Sequence, residues 1–420
     1  MSLFFYNIFL SIFRFGVWLA SPFNSKAKKW LRGRRNIFQS LEASLSKEEK
    51  IIWIHCASLG EFEQGRPVIE RLKATNSKHR ILLTFFSPSG YEVQKNYTTA
   101  DWVFYLPIDG PLNAKRFFEI VRPSLVIFVK YEFWYYYLDE CKKRNIPLLL
   151  VSAIFRKEQL FFKWYGSRAR RMLHCFTHLF VQDEHSRELL KSLSVNNVTV
   201  AGDTRFDRVI EIAERFEPIA AIEQFINNSK AIIAGSTWPG DEAILQKAFA
   251  AVNNPSLKLI IAPHEVSEKH LNEIKRLFPV AVLFSELITA NRRPVATSIL
   301  IIDNIGMLSR LYKYAHITYV GGGFNKSGIH NVLEAAVYNK PVITGPNHKK
   351  FMEAVQLIKS GGAFVIQNER EMIDCINKLL YNVSGNYEKA GSASGDYVRR
   401  NAGAAQKIIQ FIQEKRLLTS

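Results

Sequence analysis

The chain has 420 residues, 47% of them hydrophobic, and a formal charge of +18. That length and apolar content supply the cores of about two domains. The four cysteines (Cys56, Cys141, Cys175, Cys375) are scattered with no CxxC pair, which excludes a disulfide framework and a zinc ribbon and indicates a reducing compartment. The charge favours anionic partners (nucleic acid, anionic lipid or phosphorylated substrate) without choosing among them.

Residues 3–22, LFFYNIFLSIFRFGVWLASP, are apolar and aromatic, interrupted by Asn7 and Arg14. A membrane span needs about 20 such residues, but an arginine near its middle costs about 3 kcal/mol. No basic segment precedes the run, so a cleaved signal peptide is not expected. Lys26, Lys28, Lys29, Arg32, Arg34 and Arg35 follow it, and the positive-inside rule then keeps the remainder cytoplasmic. Three readings stand: a span, a helix lying in the membrane interface, and a buried core helix.

From residue 50 short apolar runs alternate with amphipathic segments. The runs are 51–55, 81–86, 125–129, 148–152 and 178–182, then 231–234, 257–262, 280–284, 298–302, 317–320 and 341–344. Such runs with helical spacers predict parallel sheets of βαβ units. The interval 203–229 holds a charged helical stretch, a break at Pro218 and another helical stretch, and is the expected join of two doubly wound domains. The expected division is 1–35 for an anchor and basic flank, 36–205 for a first Rossmann-like domain and 206–420 for a second, with the last helix packing back on the first. Ligands of such sheets bind beyond the carboxyl ends of the strands.

Every candidate functional segment follows one of those runs. After 51–55 comes Ala57-Ser58-Leu59-Gly60-Glu61-Phe62-Glu63. Glu61 at the start of a helix is either a general base or a complement to the helix dipole. After 125–129 comes Lys130-Tyr131-Glu132-Phe133-Trp134, where Lys130 and Glu132 either line a pocket or form an ion pair. Residues 155–172, FRKEQLFFKWYGSRARRM, include Arg156 and mix six basic residues with five aromatics and one acid. They suit lipid phosphates, stacked RNA bases, or the solvated face of an ordinary helix. After 231–234 come Gly235-Ser236-Thr237-Trp238, where Ser236 and Thr237 are candidates to hold anionic groups. After 257–262 come Pro263 and His264, and after 298–302 come Ile305, Gly306 and Met307.

The run 317–320 feeds into Gly321-Gly322-Gly323-Phe324 and then Gly328-Ile329-His330-Asn331-Val332-Leu333-Glu334. A strand, a glycine turn and a helix start can present backbone N–H groups to a phosphate. With a helix starting here, His330, Asn331 and Glu334 share one side of its first turns. The competing reading is a glycine turn with a satisfied helix cap.

Together these segments resemble the 3-deoxy-manno-octulosonic acid (Kdo) transferases of Gram-negative bacteria. The carrying pieces are ASLGEFEQGRP from Ala57, TFFSPSGYE from Thr84, YLPIDGP from Tyr105, RPSLVIFVKYEFW from Arg122 and SAIFR from Ser152. VAGDTRFDRV from Val200, AGSTWPGDE from Ala234, APHEV from Ala262 and GGGFNKSGIHNVLEAA from Gly321 continue the series. The resemblance implies a GT-B architecture with an active site between two Rossmann-like domains. It implies CMP-Kdo as donor, a lipid A precursor as acceptor, inversion at the anomeric carbon, and neither metal nor further cofactor. Glu61 matches the family's base. Pro263, His264, Ile305–Met307 and Asn331, Val332, Leu333 and Glu334 match its CMP contacts, with Ser58, Gly60, Lys130, Glu132, Arg156, Ser236, Thr237 and His330 as further donor or acceptor contacts. An enzyme of this kind works at the cytoplasmic side of the inner membrane, against its lipid surface and with no nucleic acid. The chain departs from the pattern at His264 (arginine expected), Met307 (commonly glutamate) and Lys130 (commonly acidic). The rival readings are another GT-B enzyme, such as a sugar-nucleotide epimerase, and a basic RNA-binding protein. The first leaves the apolar N-terminus unexplained. The second fits poorly with a motif series dominated by strand-end glycine turns.

Overall fold

The computed structural model describes residues 3–76, 78–289 and 297–418. They divide into two compact units: one runs to Arg208 and takes up the chain again at Ala402, and the other is Val209–Asn401.

The first unit is built on a seven-stranded parallel sheet. Its strands are β1 (Lys50–Cys56), β2 (His79–Phe85), β3 (Trp102–Tyr105), β4 (Pro123–Val129), β5 (Leu148–Ala153), β6 (His178–Val181) and β7 (Val198–Val200), in the order β3-β2-β1-β4-β5-β6-β7. Both faces are covered. Along β1, Ile51 and Trp53 join one core with Phe117, Phe128 and Tyr137, while Ile52 and Ile54 join the other with Val68, Ile69 and Leu72. Period-two alternation between two buried faces is what makes each strand an unbroken apolar run in the sequence. The second core also takes in Ala405, Ile408 and Ile412 of the last long helix, Ala404–Glu414.

Helices α1 (Leu3–Ala20), α2 (Ser25–Arg32) and α3 (Ile37–Ser44) precede β1. The stripe Tyr6, Leu10 and Phe13 of α1 rests on the unit: i, i+4, i+7 is one helix face, with Asn7 beside it accepting from Tyr136 Oη at 2.8 Å. Tyr6 Oη donates to Asp109 at 2.6 Å, Leu10 is buried, and the Phe13 ring lies 5.6 Å from Trp30. Phe4, Phe9, Ile12, Phe15 and Trp18 are more than half exposed. Helix α1 is long and apolar enough to cross a membrane, and its apolar surface is not covered by the protein, which removes the core-helix reading.

The second unit holds β8 (Lys230–Thr237), β9 (Leu257–Pro263), β10 (Val282–Leu283), β11 (Ile299–Ile301), β12 (Ile317–Val320), β13 (Val342–Thr344) and β14 (Ala363–Val365). The order is β10-β11-β9-β8-β12-β13-β14, again parallel where registers are defined. Strands β3, β7 and β14 answer to no run picked out in the sequence. They are edge strands of three or four residues, partly exposed, so no long apolar run marks them. The expected strand 280–284 shrinks to the two residues of β10, because Phe284 opens the helix Phe284–Thr289.

Candidate functional site

In each sheet the strand order reverses at one place, between β1 and β4 and between β8 and β12. There the connections leave towards opposite faces and the loops part, forming the crevice where such folds bind ligands. Ser58–Glu61, Lys130, Glu132, Ser236 and His330–Glu334 lie at or beyond the ends of the strands flanking these points, while Arg156, Pro263–His264 and Ile305–Met307 come at or after the ends of β5, β9 and β11.

In the first unit β1 runs into α4 (Leu59–Thr75), with Ser58 at the N-cap and Glu61 in the first turn. The Ser58 hydroxyl donates to the Glu61 carboxylate and accepts no capping hydrogen bond from a backbone N–H of the turn. Glu61 is therefore aimed by its neighbour, in the first turn of the helix. Helix α4 is fixed from below. Gln64 Nε2 donates to Asp203 Oδ1 at 3.0 Å, and Thr204 Oγ1 donates to the Gln64 carbonyl at 2.5 Å. Asp203 holds Arg205 through a pair at 2.7 Å. Burial pushes the Asp203 carboxyl up, but the Arg205 charge and the hydrogen bonds it accepts outweigh that and keep it below its ordinary value.

At the end of β4, Lys130 adopts φ +69°, a left-handed conformation that a side chain disfavours and that clusters at functional sites. Its Nζ lies 5.3 Å from the Tyr131 ring. Burial raises the Tyr131 phenol, and Arg156, Glu61, Arg205 and Asp203 all act on it electrostatically. Those groups, from the ends of β1, β4, β5 and β7, therefore gather at one edge of the sheet. Glu132 faces inward. It is 8% exposed and accepts from His55 Nε2 at 3.1 Å and from the Trp134 indole. His55 Nδ1 in turn meets Thr84 Oγ1 at 2.9 Å, which accepts from Trp53 Nε1 at 2.8 Å. Glu132 thus anchors the loop through a buried chain of side chains and presents little to a ligand. His55 carried no signal of its own, being one polar residue inside an apolar run.

In the second unit the glycine triplet is a packing device. A Cβ on Gly321 would lie 2.4 Å from the Ser236 carbonyl oxygen, and one on Gly323 would lie 2.5 Å from Gly345 N and Cα. The Gly322 N–H donates to Asp241 Oδ2 at 2.8 Å, and Asp241 also accepts from Trp238 N and Tyr319 Oη. A buried side-chain carboxylate already occupies the amide that a phosphate would use. The helix after the triplet also begins later than the spacing suggested. It is Leu333–Ala336 only, and His330 and Asn331 precede it. Asn331 still meets Glu334: Asn331 Oδ1 accepts from Leu333 N at 3.2 Å and its Nδ2 donates to Glu334 Oε1 at 3.1 Å.

Across β8, β9 and β12 three rings stack. Trp238 lies 4.7 Å from His264, and His264 lies 4.4 Å from His330. Trp238 Nε1 donates to His330 Nε2 at 3.2 Å, so the His330 proton resides on Nδ1. Burial, with His264 close by, lowers the His330 pKa to about 4. His330 is a neutral hydrogen-bonding group, whereas His264 is exposed at the mouth of the loop.

A family model described as 3-deoxy-D-manno-octulosonic-acid transferase matches residues 31–208. A 3-deoxy-D-manno-octulosonic acid transferase of Aquifex aeolicus is 31% identical over 342 residues, which is 80% of this chain and 88% of that protein. The chain belongs to the 3-deoxy-D-manno-octulosonic acid transferase family. A relative of the same name from Haemophilus influenzae is 26% identical over 86% of each chain. Among solved structures, the UDP-GlcNAc 2-epimerase of Neisseria meningitidis has a TM-score of 0.60 at 16% identity, over 87% of this chain and 100% of that one. This likeness is one of fold: two Rossmann-like units of the GT-B kind.

The motif residues of this Kdo transferase family member differ in what they can offer. Ser58, Gly60, Glu61, Lys130, Arg156, Ser236, His264, Ile305, Gly306, His330, Asn331 and Glu334 all keep exposed or half-exposed surface. Thr237 is fully buried with its hydroxyl on Glu242, and Val332 and Leu333 are fully buried too, which leaves their backbone alone for a ligand. Pro263 and Met307 are likewise buried. Ile305 is 89% exposed beside Gly306, whose φ of +96° and empty surroundings give open backbone access. Among the described residues no three His, Cys, Asp or Glu side chains group as metal ligands.

Three histidines make the fold acid-sensitive. Burial, assisted by a neighbouring cation in the first two cases, lowers His178, His316 and His330 to about 4 each from the ordinary 6.5. They are neutral when folded and take up protons when unfolded, so stability present above pH 6.5 is lost as pH falls towards 4. Asp109 acts oppositely: burial raises it to about 6, and its cost is relieved as pH falls below that value. Burial also lowers His79 and raises Asp207, Asp241 and Glu242, but the three large histidine shifts cover the whole of this range, so the melting temperature falls between pH 7 and pH 5. His316→Phe, which retains the ring stack on Tyr387, shows a smaller fall. A melting temperature independent of pH in wild type contradicts this balance.

Proposed function

We propose that the protein transfers Kdo from CMP-Kdo to a lipid A precursor by a single inverting displacement, with Glu61 as general base. The observation carrying this is Glu61, held by Ser58 in the first turn of α4 among Tyr131, Arg156 and Arg205, in a chain of the Kdo transferase family. Glu61 takes the proton of the acceptor hydroxyl as its oxygen bonds to the Kdo anomeric carbon. The bond from that carbon to the CMP phosphate breaks, and the phosphate leaves with the electron pair. No metal step is needed for this sequence. Arg156, Lys130 and Arg205 supply cationic charge for the acceptor phosphates and the Kdo carboxylate.

The donor belongs to the second unit. The preorganised Asn331–Glu334 pair suits the ribose hydroxyls: Glu334 accepts and Asn331 can do either. The exposed His264 and neutral His330 offer hydrogen bonds to the phosphate, and the open backbone at Ile305–Gly306 suits the base. Glu334→Ala leaves two sugar hydroxyls unmatched and is expected to raise the donor KM by about 10- to 100-fold with a smaller change in kcat. Unchanged donor KM removes Glu334 from this role.

The uncovered apolar face of α1 and the basic residues after it support attachment to the cytoplasmic face of the inner membrane. The deciding experiment is incubation with CMP-Kdo and a phosphorylated lipid A precursor, followed by mass spectrometry of the lipid. The lipid mass is expected to rise by whole Kdo units. An unchanged mass with folded protein refutes the reading.

A further inference from the structure

We propose that a cavity beneath α1 binds the phosphate headgroup of an anionic bilayer lipid, as a site separate from the residues assigned to sugar transfer. The cavity measures about 580 Å³ and lies wholly within the first unit. Its walls include Arg14 and Trp18 of α1, Trp30 of α2, Arg34 and Arg35 just after it, and Arg116. No aspartate or glutamate lines it. Arginine forks and tryptophan rings without an acid select an anion attached to an apolar body.

Two observations indicate that something is meant to occupy it. Trp30 is 5% exposed and its indole N–H has no hydrogen-bond partner. Buried donors are nearly always paired, so an orphan on a cavity wall calls for an acceptor from outside the chain. The Arg34 guanidinium donates to the carbonyls of Leu106, Trp30 and Phe86 and stacks 4.0 Å over the Trp30 ring. No carboxylate among the described residues pairs with it, and burial lowers its pKa to about 9. A half-buried cation whose partners are all neutral still favours a counter-charge. Arg14 and Arg35 are exposed at the rim, and neither side chain pairs with another group among the described residues. Arg116 differs, being paired with Glu42 at 3.0 Å.

A bilayer lipid fits better than a free anion. The exposed apolar surface of α1 continues from the rim through Phe15, Trp18 and Leu19. A phosphate at Arg14 and Arg35 therefore sets acyl chains along that surface. This also accounts for Arg14. In an otherwise apolar helix an arginine is costly in hydrocarbon, but one facing a headgroup is not. Helix α1 then lies with its exposed face in the acyl region and its Arg14 edge at headgroup level.

The test uses the full chain and calorimetric binding of dihexanoyl-phosphatidylglycerol below its micellar concentration, so it does not depend on Kdo transfer. Arg14→Gln/Arg35→Gln removes two cavity charges. Lys28→Gln/Lys29→Gln removes two exposed charges of α2 outside the cavity. Arg34 is left intact because its hydrogen bonds tie it to the fold, and unchanged melting curves verify both variants. The expected result is saturable binding that the arginine pair weakens at least about tenfold and the lysine pair by less than about twofold. Dihexanoyl-phosphatidylcholine and inorganic phosphate should each bind at least about tenfold more weakly. Equal losses in the two variants, equally tight inorganic phosphate, or no saturable binding overturns the proposal. A raised acceptor KM in the arginine variant with unchanged phosphatidylglycerol binding also overturns it, in favour of a subsite for the phosphorylated acceptor.

Discussion

Glu61→Gln is expected to reduce the Kdo transfer rate by about 10²- to 10⁴-fold, the usual contribution of a positioned general base, while the protein stays folded. The substitution keeps the shape of the side chain, and the glutamine oxygen can still accept from Ser58. The first turn of α4 loses only a favourable charge at its N-terminus, worth about 0.3–1 kcal/mol. The core below it, Phe62, Val68, Ile69 and Leu72, is untouched. Donor affinity is expected to hold, because the proposed CMP contacts all lie in Val209–Asn401. Initial rates with CMP-Kdo and acceptor, CMP binding by calorimetry and a melting curve together separate the outcomes. Lost turnover with CMP binding and melting retained assigns the proton transfer to Glu61. A rate within about tenfold of wild type gives the role to another group. Ser58→Ala should lie between the two, with a loss of about tenfold, because it frees the carboxylate without removing it.

The sequence was most legible where physics is most repetitive. Strands buried on both faces read as apolar runs, so the runs match β1, β4, β9 and β12 within a residue or two, and β8 to within three. The edge strands β3, β7 and β14 were not marked, because partial exposure breaks that signal. Functional residues followed the same logic. A parallel doubly wound sheet puts every strand's carboxyl end on one edge, so any polar residue just after a run is a candidate. Strand ends alone do not tell which candidates face out. Glu132 and Thr237 sit at such ends yet turn inward, towards His55 and Glu242. Their partners are 77 and 5 residues away in the chain, and no local pattern announces either contact. Trp238 has no local signal that sets it apart within its motif, although its ring begins the row that carries His264 and His330.

Gly323→Ala is expected to be among the most damaging single-methyl substitutions in the second unit. Strand β12 pairs with β8 and β13 up to Val320, opposite Gly235 and Thr344. Beyond that register the three chains keep converging: Gly321 packs on Ser236 and Gly323 on Gly345. A Cβ at Gly323 meets backbone atoms at 2.5 Å, and backbone cannot rotate away as a side chain can. Relief requires β12 and β13 to separate, at a cost of about 3 kcal/mol or more. For a unit of this size that is a fall in melting temperature of about 6–12 °C. The shift also propagates to the donor residues. His330 N donates to the Gly321 carbonyl at 3.1 Å, and Asn347 N donates to that of Gly323 at 2.9 Å, so CMP binding should weaken along with the fold. Gly306→Ala provides the contrast. Its φ of +96° strains any side chain, but nothing lies within 4 Å of the new methyl, so the cost is about 1 kcal/mol and the unit stays folded. If Gly323→Ala instead melts with wild type and loses only CMP affinity, close backbone packing is not what these glycines serve, and the triplet regains its standing as a phosphate cradle.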